Sequence, residues 1–302
     1  MDLTRELLSI EPESISQKLE EFIKNSIANF KREGVVVGLS GGLDSSVVLG
    51  LCVGAVGSSK VLVLIMPERD SHPDSEVHAR IQAEELGVQI EKIDLTPILT
   101  EMRIYEHVPK AIFAHKKVSA AAFKASHKLY TALTGERPLL AGLEGTKFGP
   151  MKRASAYYRM KHRLRMVLLY SYAERYNLLV AGTANKTEFL TGFFVKYGDS
   201  AADIMPLQLL YKTQVRQLAR FIEIPDVIIS KPPSPDLIPG LEDEFAIGMN
   251  YDRLDLILAG LEMNMALADI AKTLGMKLAT IEYVATLVKK SEHMRNPPLI
   301  AD

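Results

Sequence analysis

Two hydrophobic rhythms alternate along the chain. "SISQKLEEFIKNSIANFKR", residues 14–32, places apolar residues at helical spacing, and Gly34 ends the run. "GVVVGLS" is continuously apolar over a few residues, the pattern of a short buried strand. "DSSVVLGLCVGAV" then predicts a helix that starts right after a glycine corner. "KVLVLIMP" predicts a second buried strand closed by Pro67, "DSEVHARIQAEELG" a helix ending at Gly87, and "VQIEKIDL" a third strand. This β-α-β-α-β order predicts an α/β fold: a doubly wound, mainly parallel sheet with helices on both faces and right-handed crossovers.

The rhythm weakens at residues 105–154, where a helical centre lies between glycine-rich ends; a helical insertion or lid is expected there. "SAYYRMKHRLRMVLLYSYAERYN" predicts a strong amphipathic helix, "LLVAGT" a fourth strand, and "LLYKTQVRQLARFIEI" another helix. "KPPSPDLIPGLEDE" is too rich in proline for regular structure. From Tyr251 the pattern is helical almost to the end, so residues 1–302 are expected to form a single domain with C-terminal helices. Within that stretch, "LADIAKTLGMKLATIEYVATLV" has the helix–glycine–helix form of a DNA-binding motif. Its second helix offers mostly apolar residues and few base-reading groups, so a packed helical hairpin is expected instead.

Composition narrows the function classes. Net charge is −1, so no global field favours nucleic acid or a membrane surface. One cysteine, Cys52, excludes an internal disulfide framework and a multi-cysteine metal site; its apolar helical setting predicts a buried structural thiol. The start has no basic segment followed by an apolar one, and no apolar run approaches ~18 residues. A cytoplasmic protein is the expectation.

The chemistry concentrates in "VVVGLSGGLDSSVVLG", residues 35–50. A strand that runs through glycines into a helix start is a recipe for binding phosphate. Glycine permits a positive φ and close approach, while the helix N-terminus presents N–H groups without intrahelical partners. Gly38, Ser40, Gly41, Gly42, Ser45 and Ser46 are the candidate cradle. The spacing is neither GxxxxGK[ST] nor GxGxxG. Asp44 discriminates further, because a carboxylate beside a polyphosphate is repulsive unless a cation lies between them. Mg²⁺, held by one or two carboxylates plus phosphate oxygens, suits that role.

"SGGLDSS" resembles the pyrophosphatase-loop signature of the ATP-pyrophosphatases, in the adenine nucleotide alpha-hydrolase-like superfamily. "TEFLTGFFVKYGD", "LYKTQV", "KPPSPDL" and "SEHMRNPP" narrow the resemblance to the ammonia-dependent NAD synthetase family, over about residues 15–300. The resemblance implies a Rossmann-like ligase. ATP adenylates the nicotinate carboxylate of deamido-NAD, and ammonia displaces AMP to give NAD. By the same resemblance Glu188 joins Asp44 on Mg²⁺, while Thr183, Lys212 and Ser234 join the loop in binding ATP. Arg165, Lys196, Asp199, His293 and Arg295 are implied at the deamido-NAD end, with Asp199, Lys212 and Lys196 as catalytic candidates. A homodimer is implied, as is free ammonia or a separate ammonia donor.

The chain departs from the family pattern at several of these places. Val195, Ser200 and Ala201 stand in "VKYGDSAAD" for a threonine and two glycines. Arg159 and His162 replace asparagine and alanine in "RMKHRLRM", and Met294 replaces a lysine. The departures lie where the acceptor is expected, while the ATP half is intact. Two other readings therefore stand beside NAD synthesis: an ATP-pyrophosphatase ligase acting on a different carboxylate, and a non-catalytic nucleotide-binding paralogue.

Overall fold

A computed structural model describes residues 3–108, 125, 129–132, 137–145, 149–234 and 242–301. Four parallel strands form the sheet: β1 (Gly34–Gly38), β2 (Val61–Ile65), β3 (Gln89–Lys92) and β4 (Leu178–Ala181), in the order β3-β2-β1-β4. Val36 of β1 is in register with Leu62 of β2 and Val180 of β4. Alternate residues of β1 feed two cores. Val35 and Val37 join Val47, Leu51, Val215 and Leu218 on one face, and Val36 joins Leu99, Tyr157 and Ala173 on the other. A strand that must be apolar on both faces has no polar positions to spare, which explains the unbroken valine run.

Helices α1 (Pro12–Asn29), α2 (Leu43–Val56), α3 (Pro73–Glu85) and α4 (Thr96–Glu101) accompany the first three strands. Next come α5 (Pro138–Glu144) and the long α6 (Gly149–Tyr176), which leads into β4. The expected amphipathic helix thus begins earlier than Ser155. The centre of the predicted insertion at 105–154 lies outside the described residues, as does 235–241 of the proline-rich loop. After β4 follow α7 (Lys186–Thr191), α8 (Lys212–Phe221), α9 (Asp226–Ile229) and α10 (Asp243–Ile247). The chain closes with α11 (Tyr251–Glu262), α12 (Leu267–Thr273), α13 (Leu278–Lys290) and α14 (Glu292–Arg295). The suspected DNA-reading motif is α12–α13. Both helices bury their apolar positions, Ile270, Ala271, Ile281 and Val284, in the C-terminal core, as a packed hairpin does. Among the described residues no helix is long and apolar enough to cross a membrane. Cys52 is buried in α2, and burial pushes its thiol up to about 12, which makes it inert.

The strand order reverses at β1. The chain moves outward from β1 through β2 to β3 and then returns to place β4 on the other side of β1. Open α/β sheets bind ligands at the carboxyl edge of such a reversal, because the loops diverge there and leave a crevice. Here that puts the loop after Gly38 beside the loop after Ala181.

A buried ionic cluster anchors α6 to the segment after β2. Lys161 is fully buried and donates to Glu68 Oε1 at 2.8 Å and Asp70 Oδ2 at 2.7 Å. Tyr105 donates to Glu68, Tyr157 donates to Asp70, and Arg69 donates to Asp70 Oδ1 at 2.9 Å. Burial alone would raise the Asp70 pKa, but Arg69, Lys161 and Tyr157 outweigh it and hold the carboxyl below its usual value. Removing one partner strands the opposite charges without water. Lys161→Ala should therefore lower the unfolding free energy by about 3–5 kcal/mol in urea denaturation. A loss below about 1 kcal/mol would show that the cluster does not hold α6.

Candidate active site

The sequence builds the crevice floor from the β1–α2 turn. Gly41 has φ +71°, and a Cβ there would lie 2.1 Å from the Ser75 carbonyl oxygen, so both conformation and space require glycine. Gly42 starts α2 without a side-chain cap, which leaves first-turn N–H groups with no intrahelical acceptor. Two serines knit the turn. The hydroxyls of Ser40 and Ser45 lie 3.0 Å apart, the Gly42 N–H donates to Ser40 Oγ at 3.2 Å, and Ser45 Oγ donates to the Gly42 carbonyl at 3.1 Å. Ser46 is fully buried, and its hydroxyl has no hydrogen-bond partner.

One wall carries a compact set of charges. Lys212, at the start of α8, is buried and its ammonium pairs with Asp44. Asn185 caps α7 by accepting the Glu188 N–H at 3.0 Å, while Glu188 Oε2 accepts the Asn185 N–H at 3.2 Å. The same Asn185 amide donates to Asp44 Oδ1 at 3.3 Å, tying the cap to the phosphate-type loop. Burial and the neighbouring Asp44 charge push the Glu188 carboxyl well above its ordinary pKa. Burial alone would lower Lys212, but Asp44, Glu188 and Asp243 outweigh it and raise the ammonium. Asp243 adds a third carboxylate, pushed up to about 6 mainly by burial; its Oδ1 is buried without a hydrogen-bond partner.

Lys212 is positioned from beneath. Its N–H donates to Thr187 Oγ1 at 2.9 Å, and that hydroxyl donates to Asp255 Oδ1 at 2.6 Å. Asp255 Oδ2 accepts the Thr213 N–H at 2.9 Å. One fully buried carboxylate on α11 therefore stitches the start of α7 to the start of α8. Asn185, Asp243 and Asp255 escaped the sequence reading. "TANKTE" carried a signal for the first, an asparagine three residues before a glutamate as in a capping box. Nothing local marked Asp255.

These groups line a cavity of about 1120 Å³, larger than most small-molecule pockets. Of the residues predicted from sequence, Gly38, Ser40, Gly42, Asp44, Ser45, Thr183, Glu188, Lys212 and Ser234 lie on its wall, as do Arg165 and Asp199. Arg165 donates to the Met66 carbonyl through Nε and Nη2 at 3.3 and 3.2 Å. Gly41 and Ser46 support the loop from behind. Lys196, His293 and Arg295 are not among the described wall residues. Lys196 donates to the carbonyls of His293 and Asn296, both at 2.9 Å. The His293 ring nitrogen Nδ1 lies 2.9 Å from the Lys290 carbonyl. Arg295 donates to the Leu190 and Val288 carbonyls at 2.8 Å and to Ser291 Oγ at 2.6 Å. Met294 packs with Leu143, Phe194 and Leu287, which explains an apolar residue at that position.

Fold and site together define a nucleotide-binding α/β domain whose phosphate-type loop faces a carboxylate–ammonium cluster. The family model for NAD synthase matches residues 15–144 and 137–298, and the chain belongs to that family. The ammonia-dependent NAD(+) synthetase of Thermotoga maritima is 45% identical over 255 residues, covering 84% of this chain and 89% of that protein. Its counterpart from Hyperthermus butylicus is 37% identical over 299 residues, covering 98% and 93%. Among solved structures, the NMN synthetase of Francisella tularensis superposes with a TM-score of 0.71 at 28% identity, covering 97% of this chain and all of that one.

Gly41→Ala tests the cradle. It should weaken ATP binding by about tenfold or more in calorimetric titration, because strain at φ +71° and the Ser75 carbonyl both displace the turn. Unchanged affinity would separate the turn from nucleotide binding.

Proposed function

We propose that the protein is an ATP-dependent, C–N bond-forming ligase that makes NAD from deamido-NAD and ammonia, with AMP and pyrophosphate as by-products. The observation that carries this reading is the Asp44–Lys212–Glu188 cluster beside the Ser40–Ser45 turn at the sheet's reversal. The turn and the α2 N-terminus receive the β- and γ-phosphates, which leave together as pyrophosphate. Lys212 supplies a fixed positive charge to the phosphates, already oriented through Thr187 and Asp255. Thr183, Ser234, Arg165 and Asp199 all line the same cavity; in this reading the first two serve ATP and the last two the acceptor. Catalysis of this kind rests on neutralised charge and oriented reactants more than on a strong acid or base. Lys196, His293 and Arg295 contribute by fastening the C-terminal segment to the Val195–Asp199 loop and α7.

The donor set fits Mg²⁺. Among the described residues no group of three or more His, Cys, Asp or Glu is arranged around a common metal position. Mg²⁺ needs only one or two carboxylates, with phosphate oxygens and water completing its octahedron. Asp44 and Glu188 would provide the carboxylates; both line the same cavity, and the Asp44 charge is felt at Glu188. When bound, the ion supplies charge neutralisation on the triphosphate. A cytoplasmic location is part of the same reading. A homodimer follows from the family resemblance, with the exposed Val167 and Tyr176 of α6 as available contact residues.

Incubation with ATP, Mg²⁺, ammonium and deamido-NAD should yield NAD, AMP and pyrophosphate in equal amounts. No NAD, with ATP–pyrophosphate exchange triggered by another carboxylic acid, would make the protein a ligase for that acid. ATP binding without pyrophosphate release would make it a non-catalytic paralogue. Asp44→Asn should lower turnover by at least ~10²-fold; because it also removes a partner of the buried Lys212, the unfolding midpoint should fall, while Glu188 and Asp243 remain beside the ammonium and the protein still folds. Retained Mg²⁺-dependent activity would remove Asp44 from the metal site.

A further inference from the structure

The cavity wall also holds an imidazole that the resemblance does not explain. His162 of α6 and Asp199 of the loop after α7 both line the cavity, with His162 Nδ1 at 3.6 Å from Asp199 Oδ2. The other oxygen, Asp199 Oδ1, accepts the Val195 N–H at 2.6 Å, so the carboxylate is held by its own loop and cannot turn away. That loop is tightly wound. Gly198 N–H donates to the Val195 carbonyl at 2.8 Å, Ser200 Oγ donates to the same carbonyl at 3.1 Å, and Tyr197 takes a left-handed φ of 60°. It packs closely on α6 at Gly198, where a Cβ would lie 3.0 Å from His162 Cβ and from Val195 Cγ1. The absence of a side chain at Gly198 lets the imidazole sit against the loop beside Asp199.

We propose that His162, oriented by Asp199, accepts the proton that ammonia loses as the amide forms. The proposal rests on the NAD-forming reading above. The acyl adenylate plus ammonia must release one proton to become amide plus AMP. A C–N bond forms, the C–O bond to AMP breaks with its electron pair on the phosphate oxygen, and an N–H proton is left over. At 3.6 Å the Nδ1–Oδ2 contact is longer than a hydrogen bond; closing it by a small ring movement would set Nδ1–H on Asp199 and leave Nε2 as an acceptor, the division of labour that a carboxylate imposes on a histidine base. The neighbouring charges support the neutral form. Burial lowers the His162 pKa first; Asp199 opposes this, and Arg165 and Lys161 on the same helix add to it. The imidazolium formed in the reaction then returns its proton to water.

The test separates the two half-reactions in the full-length protein. ATP–pyrophosphate exchange reports adenylation, and NAD formation reports the whole sequence, each measured across pH with free ammonia held constant. His162→Ala and His162→Gln should lower kcat for NAD formation by about 10²-fold or more, while exchange falls by less than about threefold. The acidic limb of the NAD profile should vanish in both variants. In Asp199→Asn it should move to lower pH, because the charge that raises the imidazole pKa is gone. NAD formation within about threefold of the unaltered protein, an unmoved acidic limb, or parallel losses in both half-reactions would overturn the proposal. If the unaltered protein makes no NAD, the functional reading fails and the proposal with it; that outcome is read from the control alone.

Discussion

A buried ammonium among carboxylates is the constraint on which the site depends. Lys212 is sheltered from water beside Asp44, with Glu188 and Asp243 adding their fields. Such a cluster is stable only if every member is held in place, because a misplaced partner leaves a charge uncompensated. The surrounding structure supplies that hold. Asn185 links Glu188 to Asp44, and Asp255 joins the starts of α7 and α8. Burial and the Asp44 charge raise the Glu188 carboxyl, so the cluster favours the protonated acid there while Asp44 pairs with the ammonium.

Helix α6 carries two charge systems with different purposes. Toward the segment after β2 it buries Lys161 against Glu68 and Asp70, a balanced set that fastens the helix. Toward the cavity it presents Arg159, His162 and Arg165. Arg159 donates to the Gly142 carbonyl at 2.8 Å, and so also pins α5 against the cavity wall. The departures from the family pattern at 159 and 162 thus alter the cavity wall directly. The departure at Met294 does something different, because that side chain is absorbed into an apolar cluster under the C-terminal segment.

Several features were legible along the chain because their causes are local. The valine run of β1 follows from burial on both faces, and the glycine corner follows from the positive φ at Gly41. The cavity wall residues Ser40, Gly42, Leu43, Asp44 and Ser45 fall within six positions of the sequence, so their chemistry shows as a motif. The helix–glycine–helix segment near the C-terminus was likewise resolved by its apolar second helix, which packs as α13. Lys196, His293 and Arg295 were harder. Their charges invite a ligand, yet their donors go to backbone carbonyls at helix ends, where cations are favourable for structural reasons alone.

By itself the sequence determined the parallel α/β scaffold and the glycine–serine turn that follows β1. Each rests on neighbouring residues or on a period that repeats over a few turns. Only the tertiary structure decided which distant groups complete the site. Asp255 reaches Thr187 and Thr213 across separations of 68 and 42 residues, and His162 meets Asp199 only because α6 packs against a tightly wound loop. Such pairs have no local signature, since their geometry is set by helix packing and by the reversal of strand order at β1.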